Sequence, residues 1–102
     1  MTINNQLNET IKSLKIEHSI RTATLLTATE QATDLYNRVL LYEEAYAESG
    51  QAESVGKELD VAYNEYDKAY KEKDYQEEQM ERIEQALVWL LEAKELLDEA
   101  GI

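Results

Sequence analysis

The sequence contains no cysteine, no proline and no phenylalanine, and only one histidine and three glycines in 102 residues. Without cysteine there is no disulfide framework, no thiol chemistry and no Cys-based zinc site. Without proline, and with abundant Ala, Glu, Leu, Lys and Gln, the usual helix breakers are missing and good helix formers remain. Basic residues are scarce too: ten Lys and Arg stand against 22 Asp and Glu, a net charge of −12. Recognition of nucleic-acid phosphate depends on Lys and Arg, so no nucleic-acid partner is expected. Long hydrophobic runs are also absent. The longest, Ala86 to Leu91, has six residues. A membrane-spanning helix needs about 20, so no membrane insertion is expected. The opening MTINNQLN lacks the basic and apolar regions of a signal peptide. The expected location is therefore the cytoplasm, or outside the cell by a route without a cleaved signal.

What the sequence does have is periodicity. Leu7, Ile11, Leu14, His18, Arg21, Leu25, Ala28, Ala32, Leu35, Val39, Tyr42 and Tyr46 recur at an unbroken 4-3 spacing. That spacing is one face of a helix, since a strand would alternate every second residue. The stretch ESGQAESVG then breaks the pattern at residues 48–56. Gly50 is placed to close the first helix in the left-handed conformation, and Ser54 is the expected N-cap of the second. Beyond it ELDVAYN, EYDKAYK and EKDYQEE repeat in a seven-residue register from Glu58 to Glu78. Such a register keeps one seam of a helix turned to a partner helix, and here the seam continues through Met80, Ile83, Leu87, Leu90 and Leu97.

Folding back at Gly50 sets Tyr42 opposite Ala62, Leu35 opposite Ala69, Ala32 opposite Lys73, Ala28 opposite Gln76 and Leu14 opposite Leu90. Alanines thus meet long polar side chains that can lie across them. Arg21 falls near Glu84, a candidate ion pair. Five threonines at positions 22, 24, 27, 29 and 33 raise the question of a kink near Thr27, where Thr27 and Glu30 fit a capping box. The 4-3 stripe crosses them without a phase slip, which favours a continuous helix with its hydroxyls in water. The expected fold is all-α: a coiled-coil-like antiparallel two-helix hairpin in one domain over 1–102. Arm 1 covers about 3–48, the turn about 49–54 and arm 2 about 55–99. A four-helix bundle would complete the core by self-association or through a partner.

Little of this points to catalysis. His18 sits on the seam, and residue 15, where a bundle metal site would need Glu, is Lys15. The carboxylates follow the outer positions of the repeat, where they solvate a helix. Calcium-loop, phosphate-loop and nucleophile-elbow patterns are all missing. No enzyme activity, cofactor, metal or small-molecule substrate is expected.

The distribution of charge and bulk points instead to partners. Residues 1–51 carry 7 acids and 4 bases, residues 52–102 carry 15 and 6. Glu65, Asp67, Glu72 and Asp74 form the acidic face of the second arm. All seven tyrosines lie between Tyr36 and Tyr75, with Tyr63, Tyr66 and Tyr70 as candidate contacts, because Tyr buries area while its hydroxyl finds a partner. Within ALVWLL the seam takes Leu87 and Leu90. Leu91 lies beside it and is a candidate partner contact, while Val88 and Trp89, with Leu26, Leu40 and Leu41 of the first arm, have no place inside a two-helix hairpin and call for a further surface.

An amphipathic hairpin of about 100 residues resembles the small helical partners of type VII secretion, namely the WXG100 (ESAT-6-like) proteins and the companion proteins of LXG toxins. The resemblance implies pairing with another hairpin or with a toxin's N-terminal helices. Tyr-x-x-x-Asp, the family's export pattern, occurs at Tyr63–Asp67 and Tyr70–Asp74, within the second arm rather than after it. The turn holds Ser49-Gly50 where the family has Trp-x-Gly. Two function classes follow. The first is a non-enzymatic interaction module such as an adaptor, targeting factor or chaperone-like partner. The second is an acidic inhibitor, such as a phage anti-defence protein or DNA mimic, that blocks a basic site.

Overall fold

The computed structural model describes residues 2–101 and consists of two helices, α1 (Ile3–Glu48) and α2 (Glu53–Glu99). This is the all-α two-helix hairpin that the two periodic segments require. Thr2 caps α1: its Oγ1 accepts the Asn5 N–H at 3.1 Å. No break interrupts α1 at Thr27. The threonine hydroxyls are not simply turned to water, however. Those of Thr22, Thr24 and Thr29 donate to the carbonyls of His18, Ile20 and Leu25 at 2.7–3.0 Å. Back-bonding of this kind lets a mediocre helix former sit mid-helix without an unsatisfied hydroxyl.

The turn closes as the glycine suggests, with one correction. Gly50 adopts φ +69, its N–H donates to the Ala47 carbonyl at 3.2 Å, and the Gln51 N–H donates to the Tyr46 carbonyl at 3.0 Å. That pair of bonds is a Schellman cap, with Gly50 in the left-handed position. Gln51 shares the left-handed region at φ 66 without a glycine's freedom. Ser54 is not the N-cap. Helix α2 starts earlier, because the Ala52 carbonyl already accepts the Gly56 N–H at 3.0 Å, while Ser49 Oγ accepts the Ala52 N–H at 3.2 Å. A serine on the far side of the turn thus ties down the residue where α2 begins. Gly56 lies inside the first turns of α2 because Tyr46 leans on it: a Cβ there would stand 3.2 Å from the Tyr46 ring.

The chain divides into two compact units, each made of a segment of both helices. Unit 1 is Met1–Thr24 with Glu77–Ile102, and unit 2 is Leu25–Gln76. In unit 2, Val39, Leu59 and Ala62 form a buried cluster with Tyr42, Tyr46 and Tyr66 packed on it. Ala28, Ala32, Ala69 and the amide of Gln76 are buried as well. Leu35 and Ala69 line one groove, and Ala32 and Lys73 another, in the register that folding at Gly50 sets. In unit 1 the buried apolar residues are Ile11, Met80 and Ile83, while Leu7, Leu14, Leu87, Leu90 and Leu97 are only half-buried. Among the described residues no large side chain is sealed from solvent. Two helices have one shared seam, and every other face of each remains open.

Candidate functional site

Unit 2 contains the tyrosines and the acidic repeat. Tyr36 and Tyr66 stack obliquely with centroids 5.5 Å apart, and Tyr66 meets Tyr70 at 5.9 Å. The Lys73 ammonium lies 5.4 Å from the Tyr70 ring, within cation–π range. Tyr63 and Tyr70 are exposed and Tyr66 is half-buried. The Tyr63 hydroxyl donates to Glu43 Oε1 at 2.7 Å. That bond holds the phenol protonated and raises its pKa above the ordinary tyrosine value, helped by partial desolvation and by the charges of Glu43 and Asp60.

All four carboxylates of the acidic face are exposed, yet three have partners inside the unit. Glu65 accepts from Arg38 at 3.4 Å, Asp67 pairs with Lys71 at 2.9 Å, and Glu72 accepts from the buried Gln76 amide at 2.9 Å. Two of the four charges, those of Glu65 and Asp67, are therefore paired locally, while the Gln76 amide on Glu72 is neutral and leaves that charge in place. Pairs of this exposure are worth about 0–1 kcal/mol each; they mute the face more than they stabilise the fold.

Leu26, Leu40 and Leu41 are exposed on α1 of unit 2 as expected, Leu41 at 67%. They do not form one patch. Leu26 and Leu40 stand about 21 Å apart along the helix at 1.5 Å per residue, and Leu41 is turned about 100° from Leu40.

Unit 1 holds Val88, Trp89 and Leu91, all exposed, with Trp89 at 64%. Helical geometry turns Trp89 and Leu91 about 200° apart, so they serve different sides of the hairpin. Trp89 shares its side with the exposed Leu96, seven residues on. The Glu84 carboxylate is met by His18, Nε2 to Oε1 at 3.3 Å, while Arg21 lies 3.9 Å from Glu17 on its own helix. His18 thus joins Glu84 at the layer where Arg21 was expected to meet it. Ile16, Ile20, Leu96 and Val61 are also exposed and were not among the expected contacts. Their signal was in the sequence: each is apolar yet falls off the 4-3 seam.

Among the described residues no helix is long and apolar enough to cross a membrane, and no group of three His, Asp or Glu gathers as metal ligands. Set against protein-family models, curated proteins and solved structures, the chain matches none of them.

Proposed function

We propose that the chain is a non-enzymatic protein–protein interaction module whose outer helix faces receive the helices of a partner. The observation that carries this is Trp89, 64% exposed inside the longest apolar run of the sequence. A large aromatic ring standing in water costs solubility and gives nothing back until another surface covers it. Covering it removes apolar area from water at about 25 cal/mol per Å². The role is that of an adaptor, targeting factor or chaperone-like partner. The resemblance to type VII secretion partners, which rests on length and hairpin shape alone, makes a toxin's N-terminal helices one candidate occupant. The location would then be the cytoplasm or, after export without a cleaved signal, outside the cell.

The inhibitor reading is weaker, because Glu65 and Asp67 are ion-paired within the chain. Size-exclusion chromatography with light scattering, from native lysate and on purified chain, separates the two. The expected result is a complex with another protein, recovered from lysate, that survives moderate salt and is lost in Trp89→Ala. A complex lost instead on neutralising Glu65, Asp67, Glu72 and Asp74, with steep salt dependence, would reverse the assignment.

A further inference from the structure

Unit 1 carries opposite charges on its two helices. Residues 1–24 hold Lys12, Lys15 and Arg21 against Glu9 and Glu17, whereas residues 77–101 hold eight acids against Arg82 and Lys94. The His18–Glu84 contact marks one side of the hairpin. On that side Lys15 lies one turn back from His18 along α1, while Lys12 and Ile16 are turned further round the helix toward its outer face. Stepping on from Glu84 along α2 at 4-3-4 spacing reaches Val88, Leu91 and Glu95. Lys12 and Lys15, with Ile11 and Ile16, line a groove that Lys94 of α2 also borders. Ile16, Val88 and Leu91 are exposed, and among the described residues Lys12, Lys15 and Lys94 enter no ion pair. One side of unit 1 therefore presents a lysine-and-isoleucine strip on α1 next to a carboxylate-and-leucine strip on α2.

We infer that this side is a two-fold interface with a second copy of the chain. A two-fold axis sets each α1 strip against the other copy's α2 strip, so every lysine strip meets a carboxylate strip and Ile16, Val88 and Leu91 close over one another. A patch with both signs on it is complementary to itself, which a uniformly acidic surface is not. Lys94 lies within the groove, toward the seam, and the Glu84 carboxylate is shared with His18. The clearest charge complement is thus Lys12 and Lys15 against Glu95 and Asp98. Trp89 is turned to another side and stays available, so this proposal names one occupant within the interaction role proposed above and depends on that role being right.

The test is a charge swap read by light scattering on the full chain, with helical circular dichroism confirming that each variant folds. The parent is expected to be a dimer that dissociates as salt rises. Lys12→Glu/Lys15→Glu and, separately, Glu95→Lys/Asp98→Lys should each raise the dissociation constant by about tenfold or more, since like charges then face each other across both halves of the interface. Mixing the two variants should restore a dimer containing one of each, because the swapped strips match again. A parent that stays a single protomer at every concentration overturns the proposal, even if a Trp89-dependent complex with another protein forms. A dimer indifferent to both swaps, or variants that do not rescue each other, overturns it equally.

Discussion

Unit 2 and unit 1 are built from the same two helices but solve burial differently. Unit 2 packs small residues on the seam and covers them with tyrosines, whose hydroxyls and rings then engage Glu43, Tyr66 and Lys73. Alanine lets helices approach closely, and tyrosine spreads over the gap while its polar end stays wet. Unit 1 instead has aliphatic residues on its seam, and Leu87, Leu90 and Leu97 stay half-open to solvent. The difference lies in how well each unit covers its own seam. Unit 2 covers its seam with its own amphipathic side chains while leaving Leu26, Leu40, Leu41 and Val61 exposed on its outer faces, whereas unit 1 leaves the seam itself half-open.

The largest expected effect lies in the unit 2 core. Leu59→Ala should cost about 2–4 kcal/mol, and Ile83→Ala in unit 1 should fall near 2 kcal/mol, because half-open neighbours let water or a shifted side chain fill the space. Urea unfolding of both variants measures the gap. A larger cost for Ile83→Ala would break the contrast.

Smaller effects come from the turn. Gly50→Ala places a Cβ at φ +69 and should cost about 1 kcal/mol, while Gln51→Gly relieves the same strain at φ 66 and should gain about 0.5–1 kcal/mol in the same unfolding assay. Equal and opposite shifts in midpoint are the expected pattern.

The smallest effect belongs to Tyr63. Its pKa is raised in the folded chain by the hydrogen bond to Glu43. The resulting stabilisation is fully present below the unfolded tyrosine's value of about 10 and fades as pH climbs through the higher folded value. The stability difference between the parent and Tyr63→Phe should therefore be constant up to about pH 9 and shrink above about pH 10. A difference that grows with alkalinity would mean that Glu43 does not hold the proton in place.

Much of the fold was legible because helix periodicity survives any choice of partner. The seam from Leu7 to Tyr46 and the seven-residue repeat fixed two helices, and Gly50 fixed the fold-back. Register in unit 2 followed from the same glycine. The start of α2 was not legible, since Ser54 is a far better N-cap by residue type than Ala52 and only backbone geometry puts the first helical bond on Ala52. The His18–Glu84 contact was not legible for a related reason: His18 and Arg21 are one turn apart, and side-chain direction decides how far each reaches. The apolar contacts were legible one residue at a time but not as surfaces. Trp89 and Leu91 are two residues apart, and only the helical rotation shows that they look to different sides.

The central claim is that a lone protomer leaves its apolar outer faces in water, and the chain's single tryptophan reports on it directly. Fluorescence emission and acrylamide quenching of Trp89, on protein shown by light scattering to be one protomer, should give a solvent-exposed indole with long-wavelength emission and free access to quencher. A blue-shifted, quencher-protected tryptophan in a chain that stands alone would contradict the account.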